Sequence, residues 1–174
     1  MTTPKQNEVV TVADALAQLS QGLTSQQRTK IGSFQEFITQ IWSKSFERPD
    51  LFDSWHVGVI ADDAERAVEE RMNYVAILPR FHFKSTLLGH AFSVWRLLKA
   101  KRDTSILYLS YSDTMARYHI SEINKTVQRN PILMDMLTAR NTRAEFQFRY
   151  TINNKPVEIL HGGLFSFKRG MHVN

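Results

Sequence analysis

An apolar run, Tyr74-Val75-Ala76-Ile77-Leu78, stops at Pro79, and the apolar spacing of a helix begins at Leu87. Between them lie Arg80-Phe81-His82-Phe83-Lys84-Ser85-Thr86. This stretch constrains the chain more than any other. It reads as a buried strand, a turn, and Lys-Ser at a helix start, which is the layout of a phosphate-binding loop. Amides at a helix N-terminus point at an anion, Lys84 reaches the outer phosphates, and the Ser85 hydroxyl holds a magnesium ion.

The strict form of such a loop is G-x-x-x-x-G-K-[ST], and here Leu78 and Phe83 stand at its two glycines. The wider context, Leu78-Pro79-Arg80-Phe81-His82-Phe83-Lys84-Ser85-Thr86, resembles the divergent phosphate loop of the large terminase subunits of tailed phages, typically L-P-R-G-H-G-K-S-T. Phe81 and Phe83 replace that family's glycines. Glycine serves where the chain needs positive φ or close approach to a ligand, and a bulky residue there costs about 1 to 3 kcal/mol. Phenylalanine keeps its amide donor, so the expectation is a functional but weakened loop. The same residues also fit an ordinary strand-to-helix turn, with Lys84 solvated and both phenylalanines in the core.

The chain of 174 residues has the length of one domain, with 43% hydrophobic residues to form a core. Lys plus Arg number 22 against 17 Asp plus Glu, a net charge of +5 that favours nucleotide phosphates or DNA as partners. Without cysteine there is no disulfide framework or thiolate metal site, and the six histidines form no H-x-x-x-H pair. No run reaches the roughly 18 apolar residues of a membrane span. A soluble, intracellular protein is expected.

Residues 1–8 read as a loose tail. A short helix around Val12, Ala15, Leu16 and Leu19 stops at Gly22, and a longer one runs from Ser25 to about Phe46. Arg48-Pro49-Asp50 breaks it. Val57 to Asp63 imitates an apolar strand ending in two acids, the pattern by which many ATPases hold magnesium. Helical spacing nevertheless continues through Asp62 and Asp63 to Met72, with Asp62 and Arg66 as an i,i+4 pair, so a charged helix face is the preferred reading. Trp55-His56 is given no role. A helix from Thr86 to about Lys101 and a strand from Ser105 to Tyr111 complete a βαβ-type unit with the Tyr74–Leu78 strand. A helix follows from Thr114 to about Gln128, capped by Asp113 and closed by Asn130-Pro131. Ser110 and Ser112, at a strand end, read as solvated serines, with an approach to a ligand or DNA as the alternative. Ile132 to Leu137 forms a short helix, and Phe146 to Leu160 a β-hairpin turning at Asn153-Asn154-Lys155-Pro156.

The S-x-S strand end, the Asn130-Pro131 dipeptide and the stretch from His161-Gly162-Gly163 to Lys168-Arg169-Gly170, where Phe167 replaces another glycine, extend the terminase resemblance over roughly residues 55–174. The implied fold is α/β: a partial P-loop NTPase domain of the additional-strand, RecA-like class. An N-terminal helical segment (1–50) precedes the first half of an ATPase domain (51–174), truncated before the magnesium-binding acidic strand. Exposed strand edges and an apolar sheet face are expected from such a half.

The implied parent is an ATP-driven motor for viral DNA packaging and virion assembly, using ATP and Mg2+. Its partners would be double-stranded DNA, the portal, the small terminase subunit and a complementary C-terminal fragment, in the cytoplasm of an infected or lysogenic bacterial cell. The resemblance assigns Lys84 and Arg80 to catalysis, Lys84 at the outer phosphates and Arg80 on the charge of the transferred phosphoryl group. Ser85 ligates magnesium, Thr86 supports the inner phosphates, and Pro79, Arg80, Phe81, His82, Phe83, Lys84, Ser85 and Thr86 line the nucleotide site. This chain alone is expected not to hydrolyse ATP. Alternatives are another P-loop or helicase-type ATPase using Asp62-Asp63, and a non-enzymatic basic module for nucleic-acid binding or assembly.

Overall fold

In the computed structural model, the structure describes residues 31–100, 103–139 and 146–165. The expected helix around Val12–Leu19, residues 25–30 of the next, and Phe167, Lys168, Arg169 and Gly170 lie outside the described residues.

Helix α1 (Phe34–Gln40) starts later than the apolar spacing suggested, because Ser33 and Glu36 form a capping box: Ser33 Oγ accepts from the Glu36 amide at 3.2 Å, and the Ser33 amide donates to Glu36 Oε2 at 2.8 Å. Two 3-10 turns follow, Trp42–Ser45 and Pro49–Asp53. Helix α2 (Trp55–Glu69) confirms the helical reading through Asp62 and Asp63. It ends on Arg71 in the left-handed region (φ 57°), and the Met72 amide reaches Ala67 O at 2.7 Å, closing a Schellman-type end without glycine.

Beyond the loop, a π-helical stretch (Ser85–Ala91) runs into α3 (Phe92–Leu98). Strand β1 (Thr104–Ser110), α4 (Asp113–Arg129), the short α5 (Pro131–Met136), and strands β2 (Thr138–Ala139), β3 (Phe148–Ile152) and β4 (Lys155–Gly163) complete the order. The sheet order is β1-β4-β3-β2, with β1 and β4 parallel and the other pairs antiparallel. The hairpin turn is tighter than expected. Asn153 and Asn154 (φ 50° and 64°) form a two-residue loop, and both left-handed residues match the twist of the strands.

The fold is thus mixed α/β, but its βαβ unit is not the one anticipated. Tyr74–Leu78 is not a strand: it runs without a sheet partner, with Val75 79% and Ile77 91% exposed. A strand is defined by a neighbour for its backbone groups, and β1 pairs only with β4. The parallel unit is β1 and β4, with α4 in the crossover between them.

One sheet face is buried. Tyr150, Val157 and Ile159 join Ile120, Ile123 and Val127 of α4 in the core. Alternate residues point to the opposite face, where Leu109 is 44% exposed and Leu107 and Leu160 are half-buried. The core continues without a break at residue 50: Phe34 packs on Phe92 and Trp95 at ring distances of 5.1 and 5.2 Å, and its amide donates to Glu65 Oε2 of α2 at 2.8 Å. No helix among the described residues is long and apolar enough to cross a membrane.

Asn130 joins the two ends of this core. Fully buried, it caps α5 by accepting from the Ile132 and Leu133 amides at 3.1 and 3.2 Å, and donates to Ile41 O at 2.7 Å and Ser45 Oγ at 3.0 Å. Its sequence role as a helix stop is the smaller part of what it does. Asn130→Ala removes a cap and strands buried polar groups, and urea unfolding is expected to show a loss of about 2 to 4 kcal/mol. A loss within the error of the measurement would refute this role.

Candidate functional site

The loop between the Tyr74–Leu78 segment and the π-helical stretch is the site's geometric centre. At the start of this segment, burial and then the Asp63 carboxylate of α2 push the Tyr74 phenol upward in pKa. From Pro79 to Thr86 the chain lines one open depression of about 750 Å³, within the range of small-molecule sites. All eight residues assigned to the nucleotide site therefore border the same space.

Phe81 and Phe83 have φ of 67° and 54°. These are the two positions where the resembling loop carries glycine, and both take the left-handed backbone that glycine adopts without cost. The sequence alone left their torsions open. His82 ties the turn by a 2.9 Å contact from Nδ1 to Arg80 O, and its ring meets His56 edge-on at 5.6 Å. Trp55, beside His56, is 82% exposed rather than packed.

The two phenylalanines differ in environment. Phe81 is 96% exposed, contrary to the alternative in which both belong to the core. Phe83 is half-buried and packs on Phe52 at 5.1 Å. Lys84 and Arg80 are exposed and form no ion pair among the described residues. No carbonyl among the described residues accepts from the Lys84 or Ser85 amide, as expected at the open end of a helix. The arrangement offers two exposed cations and uncommitted donors around a depression, which suits a multiply charged anion.

The metal chemistry of the loop is sparse. Ser85 is its exposed hydroxyl at the helix start, and among the described residues no group of three or more His, Cys, Asp or Glu side chains is placed to hold a metal ion. That donor set fits magnesium, which keeps most of its waters and is bound largely through substrate phosphates. Asp62 and Asp63 lie on α2, and Asp63 pairs with Arg66 one turn away, replacing the expected Asp62–Arg66 pair. Ser112, not Asp113, caps α4, because its hydroxyl accepts from the Met115 amide at 3.2 Å. Asp113 instead binds Arg117 at 2.6 Å and His161 at 3.3 Å, and Arg117, then His161, hold its carboxyl below the usual range. Ser110 is held through its carbonyl, which accepts from the Leu164 amide at 2.8 Å.

The contact between His90 and His119 was not legible in the sequence, since it joins residues remote along the chain. His90, in the π-helical stretch, meets His119 of α4 at 2.9 Å between Nε2 and Nδ1, and the His119 ring lies 5.4 Å from Tyr108 of β1. Comparison with family models, with curated proteins and with solved structures gave no match.

Two outcomes test this description. Phe81→Gly loses no packing and relieves a left-handed phenylalanine, so unfolding should show a gain of up to about 1 kcal/mol after the added flexibility of the unfolded chain is offset; a loss of that size would contradict the assigned torsion. Burial, then the charge of His119, push His90 down to about 4. The unfolded chain binds that proton more tightly, so the pair's contribution is complete above about pH 6.5 and is lost as pH falls toward 4. His90→Gln should flatten stability measured by urea titration across this window, and an unchanged slope would exclude His90 as its source.

Proposed function

We propose that this chain is the nucleotide-phosphate-binding part of a terminase-like, P-loop ATPase, and that residues 79–86 hold the phosphate groups of ATP. The carrying observation is the coincidence of left-handed backbone at Phe81 and Phe83 with the two glycine positions of the resembling loop. Left-handed phenylalanine is rare, and here two of them fall on those positions.

On this reading the Lys84 ammonium neutralises the outer phosphates and the amides leading into the π-helical stretch receive their oxygens. Ser85 supplies one hydroxyl oxygen to magnesium, and Thr86 supports the inner phosphates. Magnesium, when bound with the nucleotide, neutralises charge on the phosphate oxygens. Arg80, exposed and without an ion pair among the described residues, is placed to meet charge that develops on the transferred group. The parent activity, ATP-driven movement of double-stranded DNA into a capsid with portal and small-subunit partners, is part of the same proposal and rests on the resemblance.

The experiment is calorimetric titration of the purified chain with ATP, ADP and pyrophosphate in magnesium buffer. Saturable binding that weakens roughly tenfold or more in Lys84→Ala, with unchanged thermal unfolding, is the expected result. The absence of binding at millimolar nucleotide, together with DNA affinity that falls steeply with salt, would overturn it in favour of a basic nucleic-acid-binding module.

A further inference from the structure

We infer that Phe52 is a positioning residue of the phosphate loop: its ring holds the Phe83 ring, and through it keeps the loop backbone left-handed before a ligand arrives. The inference rests on the proposed nucleotide reading for its consequence in binding, but not for its structural content. A phenylalanine at φ 54° is strained, and in isolation it would relax to an ordinary backbone conformation. Persistence of the strained form needs surroundings that over-determine it.

For Phe83 those surroundings are the rings behind the loop. Phe52 is 2% exposed and sits in the second 3-10 turn, Pro49–Asp53. Its ring contacts Phe83 at 5.1 Å and Phe46 at 5.0 Å; Phe46 reaches Trp42 at 6.2 Å, and Trp42 reaches Phe37 at 6.2 Å. The run of rings therefore begins in α1, deep in the core, and ends in the loop. Moving Phe83 to a right-handed conformation would redirect its side chain from Cα and pull the ring off Phe52. Phe81, at the other glycine-like position, has no ring partner among the described residues and is 96% exposed, so the restraint enters through Phe83.

A glycine loop is permissive and orders on its ligand, whereas this loop replaces permissiveness with an apolar anchor. Pre-organisation of this kind lowers the ordering cost of binding. Phe52 contributes no group to the depression at residues 79–86, so its effect on the ligand is indirect.

The test uses the full chain with Phe52→Leu, Phe83→Gly and the double variant, and reads two quantities: amide hydrogen exchange at residues 81–85, and pyrophosphate affinity in magnesium buffer. Phe52→Leu is expected to speed exchange in the loop about tenfold and to weaken pyrophosphate by a similar factor, the scale set by one left-handed bulky residue. In the Phe83→Gly background the same substitution should change neither quantity, because no ring remains to be held. Equal effects of Phe52→Leu in both backgrounds would mean that Phe52 acts only through core stability, and would overturn the inference. If Phe52→Leu fails to fold, Phe83→Leu removes the contact from the loop side and should give the same acceleration. A wild-type chain that ignores pyrophosphate refutes the nucleotide reading, while the exchange comparison still decides the anchor.

Discussion

The contact of Phe83 with Phe52 is the constraint on which the site depends. A loop with two left-handed phenylalanines cannot hold its shape by local preference, since each residue favours another backbone region by about 1 to 2 kcal/mol. The ring of Phe83 converts part of that local cost into packing against a core that is present anyway. The aromatic run from Phe37 through Trp42, Phe46 and Phe52 therefore does two things, closing the core between α1 and α2 and reaching out to fix one end of the loop. The strain at Phe81 is left without such an offset, and its exposed ring marks the part of the loop that packing does not hold.

The rest of the fold supports this arrangement through a few buried polar contacts. Asn130 binds the carbonyl of Ile41 at the end of α1 while capping α5, so these two helices share one hydrogen-bond network. Glu65 of α2 receives the first amide of α1 and faces Lys99, whose ammonium lies 4.6 Å over Trp95. The Asn130–Ile41 and Phe34–Glu65 contacts join elements distant in sequence and satisfy polar groups that burial would otherwise penalise.

The sheet is covered on one face and carries Leu107, Leu109 and Leu160 on the other, with β1 at one edge. The extended Tyr74–Leu78 segment leads into the loop without joining that edge. As a result the loop at residues 79–86 is held from behind by α2 and the aromatic run rather than from below by a sheet. This differs from the strand-supported geometry that the apolar run implied, and it explains why the anchor at Phe83 carries so much of the positioning.

Much of the architecture was legible in the sequence where local rules suffice. The spacing of Val57, Ile60, Ala64 and Ala67 made α2 a helix despite the strand-like acids, and Asn153-Asn154 announced a turn whose two residues both tolerate positive φ. Leu78 to Thr86 identified the loop by residue type alone. Local rules could not tell whether Tyr74–Leu78 had a strand beside it, because strand pairing is a property of two segments. Nor could they find His90 against His119, or choose between Asp113 and Ser112 as a cap, since both are competent and geometry selects the hydroxyl. By itself, the sequence determined which residues form the loop and where its helix begins, because charge, proline and apolar spacing act within a few residues. Only the tertiary structure decided that Phe83 takes glycine's backbone, because that choice is made by its packing on a ring thirty-one positions earlier in the chain.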